Sequence, residues 1–257
     1  MTDLTRRHLV YGSAAALAAL GLAGCVSNGP AQVAAAVPPQ PNAGPTPADD
    51  TIAEDQTLGP LSNARYVAMY SAVEGDRFPI PAVKLAIIKP PFRRQVVEYP
   101  TTEAPGTIIV DPPHHFLYHV LANGRAMRYG VGVGREGFAW SGDAVIKTKQ
   151  EWPDWYPPKE MVQRQPELKK ILGQLQGGLG MAGGPRNPLG VRAMYLWQGN
   201  KDTLFRIHGT VEPWSIGKSV SSGCIRMIDQ DVIDLYNHTP VGTRVVVLGG
   251  PGAARVG

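Results

Sequence analysis

Two short runs hold the residue types that acyl transfer needs. Ile207-His208-Gly209-Thr210 is followed, after an intervening loop, by Ser221-Ser222-Gly223-Cys224-Ile225-Arg226. A thiol that moves an acyl group needs a base or a cation to make it thiolate. It also needs donors placed for the oxyanion and a group that positions the substrate. His208, at the end of an apolar stretch, supplies the base. Gly223 lets the backbone turn tightly before Cys224 and lets a substrate come close. The amides of Gly223 and Cys224 are the candidate oxyanion hole. Arg226 can bind a substrate carboxylate through two parallel hydrogen bonds, with Ser221 and Ser222 beside it. A helix over 229–236 would turn its positive end towards the thiol and favour thiolate.

Cysteine usage strengthens this reading. The chain has two Cys, Cys25 and Cys224. Arg6 and Arg7 form a charged start, residues 10–23 are an apolar run, and Leu22-Ala23-Gly24-Cys25 resembles a bacterial lipobox. Residues 1–24 therefore read as a signal peptide and Cys25 as the lipidated N-terminus of the exported protein. Thr5-Arg6-Arg7-His8-Leu9 also resembles a twin-arginine signal. Val26 after the lipidated Cys leans towards outer-membrane sorting. The expected location is the periplasm, with the membrane as partner through the lipid. Cys224 is then a lone thiol in an oxidising compartment, where chemistry is the leading reason to keep one.

The two runs together resemble the L,D-transpeptidase catalytic domain, also called the YkuD domain. The family pattern is a His-Gly strand end followed by a Ser/Thr-His-Gly-Cys-apolar-Arg/Asn loop. The resemblance implies Cys224 as nucleophile and His208 as general base, with the Gly209 carbonyl orienting the imidazole. Arg226 takes the Arg/Asn position. Ser222 stands where the family usually has His. Asn187-Pro188-Leu189-Gly190 with Tyr195 resembles the family's approach to the His strand, so Asn187 and Tyr195 join the substrate-binding candidates, with Trp214 as a groove wall. The implied substrate is a peptidoglycan stem peptide, cross-linked between diaminopimelate residues through a cysteine thioester, with no cofactor and no metal. The same nucleophile would also serve an L,D-carboxypeptidase, an endopeptidase or an enzyme that anchors proteins to the wall. A non-catalytic wall-binding lipoprotein is the alternative outside enzymes.

Other patterns carry less. Residues 178–183 match G-x-G-x-x-G without a preceding strand or following helix. Gly217-Lys218-Ser219 echoes the end of a P-loop, but Glu212 stands where its first Gly belongs. His114, His115 and His119 lack the spacing and the carboxylate or Cys partners of a metal set. A net charge of +4 is too small and too scattered to argue for nucleic acid.

Strands must hold these residues. The pattern predicts strands over 83–88, 95–99, 107–110, 115–121, 126–133, 144–149, 191–196, 203–208 and 244–248. Asn123-Gly124 marks a type I′ hairpin turn. Short helices are expected over 65–73 and 229–236. Residues 159–176 have helical spacing broken by Pro166 and lead into the Gly-rich stretch 177–184. The layout is a signal peptide, a Pro-rich linker over 25–60, an N-terminal extension over 61–100, a catalytic domain over 101–249 and a tail over 250–257. The strands describe a mainly β, mainly antiparallel domain. The resemblance sharpens this to a YkuD-type β-sandwich or partial barrel with a helical insertion near the cleft.

Overall fold

A computed structural model describes residues 57–134, 141–221 and 223–249. The signal peptide, Cys25 and most of the linker lie outside the described residues, as do Ser222 and the tail. In chain order the elements are α1 (Asn63–Met69), β1 (Gln95–Glu98), β2 (Ile108–Asp111), β3 (Phe116–Val120), β4 (Arg125–Gly130), β5 (Val133–Gly134) and β6 (Gly142–Glu151). Then come α2 (Lys159–Arg164), β7 (Gly173–Leu175), β8 (Gly178–Gly180), β9 (Arg192–Gln198), β10 (Lys201–His208), β11 (Ser219–Ser221), β12 (Ile225–Arg226), α3 (Asp229–Asn237) and β13 (Arg244–Val247).

Nine strands form one sheet in the order β1-β4-β3-β2-β13-β6-β9-β10-β12. Its pairs are antiparallel except β2 with β13 and β10 with β12. The chain leaving β4 meets β12 at the other end of this order, where Gly132 and Arg226 exchange backbone hydrogen bonds of 2.9 and 2.7 Å. The sheet thus curls towards itself as a partial barrel. Asn123 and Gly124 both have positive φ, 60° and 65°, as a type I′ turn between β3 and β4 requires. The core lies between the curled sheet and α3. Ile108, Leu117, Ile146, Leu196, Ile207 and Val245 of the strands are fully buried with Val232 and Leu235 of α3.

Two regions differ from the sequence pattern. Residues 83–88 form no strand. They carry a 3-10 turn, Leu85–Ile87, followed by another at Pro90–Phe92. Pro90 and Pro91 remove two ladder donors, and Ile88, Val83 and Leu85 instead pack into a small cluster with Tyr66, Tyr70, Ile216 and Ile228. In the insertion between β6 and β9, the helix ends at Arg164. The residue before Pro166 is pushed out of helical conformation, and Gln165 has φ −131° and ψ 74°. A 3-10 turn follows over Pro166–Lys170, and the Gly-rich half becomes the hairpin β7–β8.

The segment before β2 is bound into the domain. Tyr70 donates its hydroxyl to Asp231 (3.2 Å) and accepts from the Arg94 amide (2.8 Å). Arg94 also pairs with Asp234, whose other oxygen accepts from Tyr129 at 2.6 Å. Gln230 donates to the carbonyls of Ser71 and Pro81. Further along, Asp76 accepts from Trp152 Nε1 and from Arg192 Nη2, each at 2.6 Å. Trp152 and Arg192 are the two feet of the insertion, one at the end of β6 and one at the start of β9. Phe78 meets the Trp152 ring edge-on at 4.9 Å. Burial alone would raise the Asp76 pKa. The hydrogen bonds from Arg192, Trp152 and the Arg77 amide outweigh it and hold the carboxyl below its ordinary value.

Candidate active site

β10 ends in His208, and β12 runs parallel to it with Ile207 opposite Ile225 and His208 opposite Arg226. Side chains alternate along a strand. Ile207 and Ile225 therefore enter the core, and His208 and Arg226 share the other face. Cys224 lies one residue before β12, half-buried and outside any disulfide. That position sets it beside Arg206, whose backbone N–H and guanidinium both act on the thiol. Tyr195 stands opposite Arg206 on β9. His208, Arg206, Cys224, Arg226 and Tyr195 are thus gathered by three adjacent stretches of one sheet.

His208 is only 3% exposed, and its Nδ1 lies 2.6 Å from the Gly209 carbonyl. A carbonyl can only accept, so Nδ1 carries the proton and the neutral ring keeps its lone pair on Nε2. Burial pushes the His208 pKa down to about 4. The charges of Arg226 and Arg206 add to this, and the Gly209 and Leu189 backbone contacts oppose it. Burial also pushes the Cys224 thiol up, against the Arg206 amide and the charges of Arg206 and Arg226. The resting pair is therefore a neutral thiol and a neutral imidazole. The thiolate preference expected from the end of α3 is outweighed by desolvation.

The remaining candidates separate. Arg226 Nη1 is paired with Glu212 Oε2 at 2.7 Å, so a substrate carboxylate would share or replace that partner. Tyr195 donates to Gln150 at 2.6 Å and lies under the Arg206 guanidinium at 4.5 Å from its ring centre. Trp214, on the 3-10 turn Pro213–Ser215, is 56% exposed and free to form a wall. Ser221 pairs through its backbone with Gly134. Gly223 has φ 127°, and a Cβ there would meet the Phe205 ring at 3.1 Å. Asn187 is corrected. It is 1% exposed, its amide nitrogen donates to the carbonyls of Pro153, Met181 and Ala182, and its oxygen accepts from Leu189 N. Its bonds shape the insertion, and its burial keeps the side chain away from a substrate.

Sequence reasoning missed Arg206 and Asp202. Asp202 grips Arg206 through two contacts of 2.8 Å. Residues four apart on a regular strand stand well beyond that reach. A register shift between Asp202 and Arg206 and a left-handed Leu204, φ 64°, shorten the path. Glu212, which breaks the P-loop pattern in the sequence, is the partner of Arg226.

The competing motifs dissolve into packing. The G-x-G-x-x-G run lies in and after β8, where Gly180 and Gly183 lie against the carbonyls of Trp155 and Trp152. Gly217 lies against the Phe92 ring. His114 sits on Asp111 at 2.8 Å, His115 on Ser219 at 3.0 Å, and His119 is buried, so the three do not converge. Among the described residues no group of His, Cys, Asp and Glu is arranged to hold a metal.

Residues 105–247, more than half of the chain, match the YkuD L,D-transpeptidase catalytic domain. The chain belongs to that family. It is similar to ErfK/SrfK of Salmonella typhimurium, named a probable L,D-transpeptidase, with 29% identity over 154 residues, 59% of this chain and 47% of that protein. It is also similar to YbiS of Escherichia coli K12, a probable L,D-transpeptidase, at 28% over 156 residues, again 59% and 47%. The chain spans about half the length of the curated relatives it matches. A crystal structure from Brucella melitensis, described as a probable carnitine operon oxidoreductase, is 52% identical, covering 64% of this chain and 99% of that one, with a TM-score of 0.43. That description belongs to the Brucella chain. In the protein described here, the G-x-G-x-x-G run over 178–183 sits in a β-hairpin region and not at a strand-to-helix turn.

Proposed function

We propose that this protein is an L,D-transpeptidase that works on peptidoglycan stem peptides through a thioester on Cys224. The observation that carries the reading is the buried neutral His208, fixed as the Nδ1–H form by Gly209, on the strand beside the thiol. Cys224 Sγ attacks the carbonyl at the L-centre of diaminopimelate in a donor tetrapeptide. His208 Nε2 takes the thiol proton as the S–C bond forms. The amides of Gly223 and Cys224 receive the oxyanion. The C–N bond to D-alanine then breaks, and His208 returns the proton to the leaving amine. The side-chain amine of a second diaminopimelate attacks the thioester, and its proton passes through His208 back to the sulfur. Because both partners rest neutral, the thiol must give its proton to His208 for the S–C bond to form.

Arg226 and Trp214 border the site and are assigned to the donor peptide. The lipobox-like run assigns Cys25 to lipid and the domain to the periplasm, tethered within reach of the wall. Incubating the protein with disaccharide-tetrapeptide and reading products by mass tests the activity. Cross-linked dimers are expected. Release of D-alanine alone would mean hydrolysis, and no turnover would mean a binding protein. A carbapenem should add to the protein by mass. An adduct that persists in Cys224→Ala would remove Cys224 as nucleophile.

A further inference from the structure

Asp229 is a titratable group that this mechanism does not use. It opens α3, and its Oδ1 accepts from two backbone amides in different parts of the chain, Thr210 at 3.1 Å and Val191 at 3.4 Å. The same oxygen occupies the space beside two glycines. A Cβ would meet it at 2.1 Å on Gly209 and at 2.4 Å on Gly190. Both positions are glycine because the carboxyl fills the space that a side chain would take.

The Thr210 amide and the Gly209 carbonyl belong to one planar peptide unit. On one side of that plane the N–H points to Asp229. On the other the oxygen accepts from His208 Nδ1 at 2.6 Å. The preceding amide, Gly209 N, donates to the Arg192 carbonyl at 3.1 Å. Rotation of the plane would break the Asp229 and His208 bonds together. A hydrogen bond to an ionised acceptor on one side also polarises the peptide, which makes its carbonyl a better acceptor on the other.

We propose that Asp229 is a positioning residue that acts on His208 through the Gly209–Thr210 peptide, so that carboxylate, peptide and imidazole form one hydrogen-bonded line ending at Nε2. This rests on the reading of His208 as the base for Cys224. The charged groups that act on Asp229 are few. Burial raises its pKa to about 7, the Val191 and Thr210 amides oppose this, and Arg192 opposes it from β9. Its ionised fraction therefore changes across neutral pH, and with it the strength of the line.

The test is the rate of Cys224 alkylation by iodoacetamide against pH, corrected for folded fraction by circular dichroism, together with 15N signals of the His208 ring. Asn can still accept from both amides through its oxygen but carries no charge. Asp229→Asn should therefore keep the Nδ1–H form, lose at most a few-fold in rate and lose the step near pH 7. Asp229→Ala should lose about tenfold or more per folded molecule, in keeping with other groups that orient a catalytic imidazole, and show a mixture of ring tautomers. The proposal is overturned if Asp229→Asn keeps the parent profile, or if Asp229→Ala alkylates at the parent rate with an unchanged ring. His208→Ala separates the two layers. If it alkylates like the parent, the base assignment itself fails. If it slows while Asp229→Ala does not, only the role of Asp229 fails. Should Asp229→Ala not fold, the Asn profile alone decides.

Discussion

At the scale of residues, the site is built to keep His208 uncharged. The His208 pKa near 4 means that the ring stays neutral as pH falls from 8 through the ordinary His range. Following the ring C–H signals by NMR should show no titration near 6.5 and a change only near 4. Stability should carry two opposed slopes. Asp229 is protonated in the folded state up to about 7, while the unfolded chain releases that proton near 3.8. Its contribution is complete below about 4 and is lost as pH rises through 7. His208 runs the other way. The unfolded chain takes up a proton below 6.5 that the folded ring refuses until about 4, so stability rises with pH across that window. Asp229→Asn removes the first slope and leaves the second. Its unfolding midpoint should climb more steeply than the parent's between pH of about 4 and 6.5, as read by thermal melts. That His208, Cys224 and Arg226 come together was legible because they lie in two short runs of distinctive types. Arg206 was not, because its place depends on a bulge at Leu204 that no residue type announces. Asn187 was misread because type and spacing do not reveal whether a side chain's bonds are already spent.

At the scale of elements, β9 and β10 were legible from period-two alternation and the β3–β4 hairpin from one Asn-Gly turn, while the short β11 and β12 carry too few residues to show a period. The 83–88 segment was not legible either. Its apolar residues serve a local cluster with Tyr66 and Tyr70, and alternation does not distinguish that from a sheet face. The fate of the insertion turned on Pro166 and on how many residues stay helical after it. What fixes the insertion is Asp76, which lies outside the family match and grips Trp152 and Arg192 together. Both Asp76 and Arg192 side chains are 8% exposed. Removing the carboxylate leaves Arg192 with Glu151 at 3.8 Å and takes the acceptor from Trp152, so Asp76→Ala should cost about 1–3 kcal/mol in urea unfolding. Hydrogen exchange over residues 153–190 should rise in the same variant. A loss below 1 kcal/mol with unchanged exchange would show that the insertion holds its own feet.

At the scale of the molecule, the mainly β character was readable, but the two parallel pairings of the nine-stranded sheet were not. β2 with β13 and β10 with β12 join segments far apart in sequence, and long-range pairing leaves no local pattern. The family match begins at residue 105, yet β1, α1 and the Tyr70–Arg94–Asp231–Asp234 network precede it or cross into it. A chain begun at residue 105 would leave the carboxyls of Asp231 and Asp234 without Arg94. It should lose cooperative melting by circular dichroism, while a chain begun at residue 57 should keep it.

The bridge that ties Leu58 to Val96 of β1 has a mechanical meaning. β1 is the first strand of the sheet order, while β10 and β12, which hold His208 and flank Cys224, close it at the other end. A pull on the chain ahead of residue 57 enters through β1 and α1 and is taken up by the Tyr70, Arg94 and Asp76 anchors. Those anchors end on α3 and β9, which adjoin the strands of the site, so the load is shared across the domain and not kept at one end of the sheet.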